Sequence, residues 1–246
     1  MISAQNIFLP NPEPLRITVL VLDDSNTLSF AAAVDPMRAA NRQARKRLFN
    51  WTYATAAGNP ALLTSGLQVP GDPIAQATPP DLLLIIAGFN LASHDTPNLR
   101  ASLRRLARAG CTLAGIDGGP WLLAGAGVLD GHRATTHWED HDTFAARFSQ
   151  INVERSRYCV DGARLTSGGA APTIDLMLSL IAGRFGTALA EKVTTSFIYD
   201  PVGDASRPQS RRISARHNML TARANALMED NLDAPLPIPQ IARRLG

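Results

Sequence analysis

Residues Gly115–Trp121 read Gly-Ile-Asp-Gly-Gly-Pro-Trp, between an apolar run (CTLAGI, ending at Ile116) and a small-residue run (WLLAGAGVL, starting at Trp121). A buried strand that feeds a helix through a glycine-rich corner predicts a sharp turn with one side chain presented at its tip. Turns of this kind usually present Ser or Cys as a nucleophile. Here the tip residue is Asp117, so the corner serves some other purpose.

The surrounding sequence has the alternation expected around such a corner. RITVLVLDD (Arg16 to Asp24) reads as a first buried strand, WTYATAAG (Trp51 to Gly58) as a second, and DLLLIIAG (Asp81 to Gly88) as a central parallel strand bounded by Pro and Gly. Helical spacing appears in Ser29 to Ala44, Asn98 to Ala109 and Thr173 to Gly186. Ser29 is the expected N-cap of the first of these helices. Pro36 implies either a kink or a true start near Asp35. LLTSGLQVPGDP reads as a short hairpin or turn. HRATTHWED and INVERSRYCVDGARLTSGG read as further short strands, the last two joined at Asp161-Gly162. Strands alternating with helices give an α/β fold with a parallel sheet and helices on both faces. Ligands of such sheets bind at the carboxyl ends of strands. Those ends fall here at Asp23-Asp24, Gly88-Phe89, Asp117-Gly118 and Ser167-Gly168.

The chain has 246 residues, 45% hydrophobic and 18% charged, with a net charge of +3. That composition permits a sizeable core and excludes wholesale disorder. After Tyr199 the character changes. DPVGDASRPQSRRI is rich in Pro, Gly, Ser and Arg and reads as a linker (200–213) between a first domain (1–199) and the beginning of an all-α domain (214–246). Arg207, Arg211, Arg212, Arg216, Arg223, Arg243 and Arg244 make this end basic against only Glu229, Asp230 and Asp233. A nucleic-acid contact and a solvated basic tail both fit that bias. Cys111 and Cys159 form no CxxC pair and read as two reduced thiols, Cys111 in the core and Cys159 partly exposed. The N-terminus lacks the features of a signal peptide and no apolar run has membrane-spanning length, so a cytoplasmic protein with no membrane partner is expected. His94, His132, His141 and His217 lack metal-ligand spacing and receive no role. Neither a metal nor a cofactor is expected.

The corner, the small-residue helix after it and Thr135-Thr136-His137 resemble the DJ-1/PfpI group of the class I glutamine amidotransferase-like superfamily. There an Ile-Cys-x-Gly-Pro corner is followed by such a helix and a Thr-Thr-His triplet. DLLLIIAG resembles the group's strand ending in the glycine, here Gly88, whose amide helps form an oxyanion hole. LTSGGAAPTIDLMLSLIAGRFG resembles its late strand and helix, and the likeness extends from about Leu15 to Tyr199. RHNMLTARANALMEDNLDAPLPIPQIARRLG resembles the opening of an AraC-type DNA-binding domain, with PIPQIARRLG as the leading helix of a helix-turn-helix. Chains that pair these modules are AraC-family transcriptional regulators with an amidotransferase-like sensor domain. SFAAAVDPMRAANR resembles the subgroup that controls catabolism of arginine, carnitine and glycine betaine.

The resemblance implies a flavodoxin-like DJ-1/PfpI sandwich, a homodimer, a small-molecule effector (an amine, an amino acid or a quaternary ammonium compound) and DNA as partners. It also implies an absent enzyme. The position of the group's low-pKa Cys is Asp117, a far poorer nucleophile, and its acidic helper falls at Ser29. The residues leave two roles open for Asp117: capping the corner helix, or holding a ligand's cationic group. Gly118, Gly88, Phe30 and Ser29 are candidates to line the same cleft. His137, Trp138 and Glu139 would suit an ammonium or guanidinium through cation–π contact and charge pairing. Ser167 and Gly168 would hold a carboxylate at a helix start or serve only a tight turn. Arg243 and Arg244 are candidate phosphate contacts. The reader helix of a helix-turn-helix lies past the residues present, so weak DNA binding or none is expected of them alone. Two rival readings stand beside the regulator: a DJ-1/PfpI-like hydrolase or hydratase with a non-cysteine site, and a ligand-free dimerising scaffold.

Overall fold

The computed structural model describes residues 6–201 together with 205, 209, 223–224, 227–228, 231 and 236–245. These fall into two compact units, divided after Gln209.

The first unit is built on a seven-stranded sheet. Its strands are β1 (Leu15–Val21), β2 (Phe49–Thr55), β5 (Asp72–Pro73), β6 (Leu82–Ala87), β7 (Thr112–Asp117), β10 (Tyr158–Asp161) and β11 (Arg164–Ser167). Across the sheet the order is β10-β11-β7-β6-β1-β2-β5, with every pairing parallel except the hairpin β10–β11. A second hairpin pairs β3 (Ala61–Leu62) with β4 (Gln68–Val69), and β8 (Arg133–Ala134) runs parallel to β9 (Asn152–Val153). The chain order reverses between β1 and β6, the switch point at which open α/β sheets bind ligands.

Alternation sorts the apolar strands onto two faces. Ile17, Val19 and Val21 join Leu82, Leu84 and Ile86 in one core, under α1 (Thr27–Ala44), α6 (Ala170–Phe185) and α7 (Thr187–Ser196). Leu20, Leu83, Ile85 and Leu113 point the other way, under α3 (Pro97–Arg108) and α4 (Gly119–Gly125), with Phe144 of α5 (His141–Arg147). The single turn α2 (Leu91–His94) precedes α3. Every residue of β6 is fully buried, as a central strand covered on both faces requires.

Several expectations are corrected. The first helix is capped by Asn26, whose side chain accepts from the Leu28 amide, and not by Ser29. Of the two alternatives at Pro36, the start near Asp35 is overturned: the helix begins at Thr27 and runs through Pro36, with Pro36, Met37, Ala33 and Ala40 all buried. Core packing there outweighs the lost backbone bond. In HRATTHWED only Arg133–Ala134 is strand, and Trp138–Asp140 forms a 3-10 turn. Cys159 is 4% exposed rather than partly open, because the β8–β9 pair and Arg133 cover the β10 edge. Cys111 is buried as expected.

In the second unit α8 (Ile238–Leu245) buries Ile241 and exposes Arg243 and Arg244 in its last turn. Arg211, Arg212, Arg216 and His217 lie outside the described residues. No helix among the described residues is long and apolar enough to cross a membrane.

Candidate functional site

The carboxyl ends of β1, β6 and β7 meet at the switch point, and each carries a non-glycine residue in the left-handed region: Asp24 (φ 59), Asn90 (φ 51) and Asp117 (φ 62). Asp and Asn tolerate this conformation better than most residues, and such strain gathers at functional sites. The three strand ends are tied together. Phe89 donates its amide to the Asp24 carbonyl (3.2 Å), the Asn90 amide group donates to the Asp24 carboxylate (2.7 Å), and the Gly118 amide donates to the Ala87 carbonyl (2.9 Å). At Gly88 a Cβ would stand 2.8 Å from the Asp24 carbonyl oxygen, so only glycine permits this approach.

Asp117 sits at the tip of the β7–α4 corner. Ser29, fully buried one turn into α1, donates its hydroxyl to Asp117 Oδ2 at 2.8 Å. Burial pushes the Asp117 carboxyl above the usual carboxylate range. The Ser29 hydrogen bond and the nearby His137 pull it back, and Asp140 pushes it up again. The chemistry is that of a desolvated anion with one neutral donor, a site that a cation would stabilise.

The opposite rim comes from Thr135 to Asp140. Thr135 and Thr136 are fully buried, and the Thr135 amide donates to Thr166 Oγ1 of β11 at 2.8 Å. His137 follows, its Nδ1 3.7 Å from Glu139 Oε2 and its ring 5.8 Å from the half-exposed Trp138 ring, tilted by 41°. Gly169 is packed so that a Cβ there would stand 3.5 Å from His137 Cδ2.

The structure therefore gathers Asp117, Ser29, Gly118, Gly88 and His137 around one corner. Other candidates are placed differently. Phe30 pairs with Tyr53 (5.8 Å between centroids) and is partly buried against the core. Glu139 is largely exposed. The Ser167 hydroxyl is engaged by Thr173 Oγ1 (3.0 Å) inside the fold, and the Gly168 amide donates to the Arg157 carbonyl (3.1 Å). That amide is thus occupied and does not face a carboxylate. Leu91, packed against Gly118, also lines a cavity of about 220 Å³ with Asp95, Trp121, Asp140, Arg147 and Phe148.

Two participants escape the sequence reading. His141 is buried, with Nε2 3.2 Å from Thr135 Oγ1, and burial holds it below the usual histidine range. Its one signal is its place four residues after His137. Gln209, within the expected linker, reaches back to the same threonine at 3.2 Å, and nothing in its surroundings in sequence announces this.

Residues 15–183 match the DJ-1/PfpI family. The chain is 36% identical over 233 residues to the HTH-type transcriptional regulator CdhR of Pseudomonas aeruginosa, covering 92% of this chain and 68% of that protein. It is 29% identical over 238 residues to the HTH-type transcriptional regulator GbdR of the same species, covering 94% of this chain and 64% of that one. The chain thus spans about two thirds of the length of these curated relatives. Among solved structures, an AraC family transcriptional regulator from Pseudomonas putida superposes with a TM-score of 0.67 at 28% identity, covering 75% of this chain and all of that one. The chain belongs to the DJ-1/PfpI family and, within it, stands among proteins named HTH-type transcriptional regulators.

Proposed function

We propose that the first unit is the effector-sensing part of a transcriptional regulator, and that its corner pocket binds a small cationic metabolite without catalysis. The observation that carries this reading is Asp117: a buried carboxylate, held by Ser29 at the tip of a left-handed corner, where an acyl-transfer fold would present its nucleophile. A carboxylate in that position is a weak nucleophile and a strong partner for an ammonium or guanidinium. His137 borders the same corner, and in this reading Trp138 and Glu139, whose ring and carboxylate lie 5.8 Å and 3.7 Å from the His137 ring and its Nδ1, add an aromatic face and a second anionic group on its outer side. In this reading residues 200–213 link the sensor to a DNA-binding domain that begins at 214, where α8 exposes Arg243 and Arg244 to phosphate. The natural protein would act as a homodimer in the cytoplasm, its effector biasing the arrangement of the attached DNA-binding domains and so, most simply, activating transcription.

The test is thermal unfolding with a panel of amino acids, guanidines and quaternary amines, with Asp117→Ala alongside. A ligand at about one hundred times its Kd adds about 2.7 kcal/mol, a shift of several degrees in this size range. A selective shift that disappears in Asp117→Ala supports the reading. Absence of a shift with every cation would overturn it.

A further inference from the structure

The Gln209 carboxamide is the last side chain of the first unit, and it is seated in an acceptor-only cradle. Its Nε2 donates to the Ser156 carbonyl (2.7 Å), the Thr136 carbonyl (3.0 Å) and Thr135 Oγ1 (3.2 Å). The surroundings are buried: Thr135 and Thr136 are fully buried and Ser156 is 6% exposed. The Thr135 hydroxyl itself donates to the Ser156 carbonyl at 2.8 Å, which turns a lone pair toward the incoming N–H. The backbone at Ala205 and at Gln209 itself is fastened as well. The Arg157 amide donates to the Ala205 carbonyl (3.1 Å) and the Gln209 amide to the Arg155 carbonyl (3.3 Å), so Ala205 and Gln209 are both tied to Arg155–Arg157.

The cradle adjoins the Asp117 corner. Ser167 is in register with Ile116, which places Gly168 beside Asp117 across neighbouring strands. A Cβ added at Gly168 would fall onto the Gln209 carboxamide, and Thr136 is the residue before His137. Gly168 has no left-handed backbone, so glycine is required there for space rather than for conformation.

Three oxygens converging on one nitrogen suit a group with three N–H bonds better than the two of a carboxamide, and a positive charge better than a neutral dipole. A quaternary ammonium has no N–H to offer and would replace none of the three bonds that the carboxamide makes, leaving the Ser156 carbonyl with the Thr135 hydroxyl alone, at the cost that attends under-satisfied buried polar groups. We propose that Gln209 is a built-in occupant of an effector subsite: its carboxamide latches the linker onto Arg155–Arg157, and a primary ammonium or guanidinium competes for the cradle and releases it. This rests on the reading of the corner as an amine-sensing site, and it narrows the effector class to N–H donors.

The test is hydrogen exchange of the Arg157 and Gln209 amides in the full chain, with Gln209→Ala and Gly168→Ala as two independent ways of ejecting the carboxamide. Retained melting temperatures serve as the control for folding. Each variant should speed exchange at the Arg157 amide about ten-fold or more, and the double variant no further than either single one, because they break the same latch. Unchanged exchange in both variants would overturn the latch, whatever binds at Asp117.

L-arginine and methylammonium are the cationic probes, with tetramethylammonium as the N–H-free control. The first two should speed Arg157 exchange in the natural sequence and bind Gln209→Ala about ten-fold more tightly, since the competing occupant is gone. Tetramethylammonium should do neither. A probe that raises the melting temperature through Asp117 yet leaves Arg157 exchange untouched would overturn the competition while the amine-sensing reading stands. If no cation binds either form, the amine-sensing reading and the competition both fall, and faster exchange in the variants then shows a ligand-independent latch.

Discussion

Ser29 Oγ and Asp117 Oδ2, 88 residues apart in the chain, meet at 2.8 Å beneath the β7–α4 corner. The bond is the one side-chain hydrogen bond to the Asp117 carboxylate among the described residues, and it decides how that carboxylate behaves. A buried anion with a single neutral donor costs stability, and the fold accepts the cost at the point where three left-handed residues already concentrate strain.

Asp117→Asn should therefore stabilise the protein at neutral pH. The native carboxyl holds its proton more tightly than the unfolded one, so the penalty is absent below the ordinary carboxylate range. It grows as pH rises toward the raised native value and stays constant above it. Asn accepts the same Ser29 hydroxyl and suits φ 62 at least as well. The expected outcome is a higher melting temperature than the parent at pH 7, a difference that shrinks toward pH 4, and loss of every amine-induced shift. A variant less stable than the parent at pH 7 would count against the buried-anion account.

Ser29→Ala isolates the donor. It leaves a desolvated carboxylate with no hydroxyl partner and should cost about 1.5–3 kcal/mol at neutral pH, the range for a hydrogen bond to a charged group. It should also move the Asp117 carboxyl further up, so that affinity for a cationic ligand falls earlier as pH is lowered. Denaturant unfolding and a pH series of ligand titrations read the two effects separately. Retention of full stability would mean that water replaces the hydroxyl.

The corner was legible because its signal is local. An apolar strand, a tip residue, paired glycines and a proline in the first turn of the helix are all short-range requirements, and strand β6 announces itself by being apolar throughout. What escaped depended on distant partners. Ser29 reads as a cap until the fold shows that Asn26 caps the helix and frees Ser29 to face Asp117. Pro36 leaves a kink and a start near Asp35 equally open until buried neighbours on both sides carry the helix through it despite one missing hydrogen bond. Cys159 reads as half-exposed on an edge strand until the chain at Arg133 covers that edge. Gln209 sits in a segment whose composition says linker, and only the acceptor cradle gives its side chain a place.

Cys159 gives a direct chemical check on that covered edge. Burial, with Glu154 close by, pushes its thiol up to about 12, and burial raises Cys111 as well. Only the thiolate reacts with disulfide reagents. Neither cysteine should be labelled by a disulfide reagent at pH 8 in the folded protein, and both should react once denaturant is added. Labelling of Cys159 at a rate typical of a free thiol would show that the β10 edge opens.

Arg157, whose amide donates to the Ala205 carbonyl, is anchored by a buried ion pair. Its Nη2 lies 2.7 Å and its Nε 2.9 Å from Asp175 Oδ2, while the Tyr199 hydroxyl donates to Asp175 Oδ1 at 2.9 Å. Only 3% of the Asp175 side chain is exposed. Asp175→Ala would leave the guanidinium buried without a counter-charge and should destabilise the protein by about 3–5 kcal/mol. Tyr199→Phe should cost about 1.5–3 kcal/mol, because the bond it removes is to a charged acceptor. Burial and the bond to Asp175 push the Tyr199 hydroxyl up to about 12. An acid whose native pKa is raised stays protonated in the fold after it has ionised in the unfolded chain. Stability should thus decline as pH climbs from about 10, the unfolded value, toward 12. Tyr199→Phe should flatten that decline, and the comparison of denaturant midpoints at pH 8 and pH 11 measures it. An equal loss of stability in both proteins would show that other groups drive the alkaline transition.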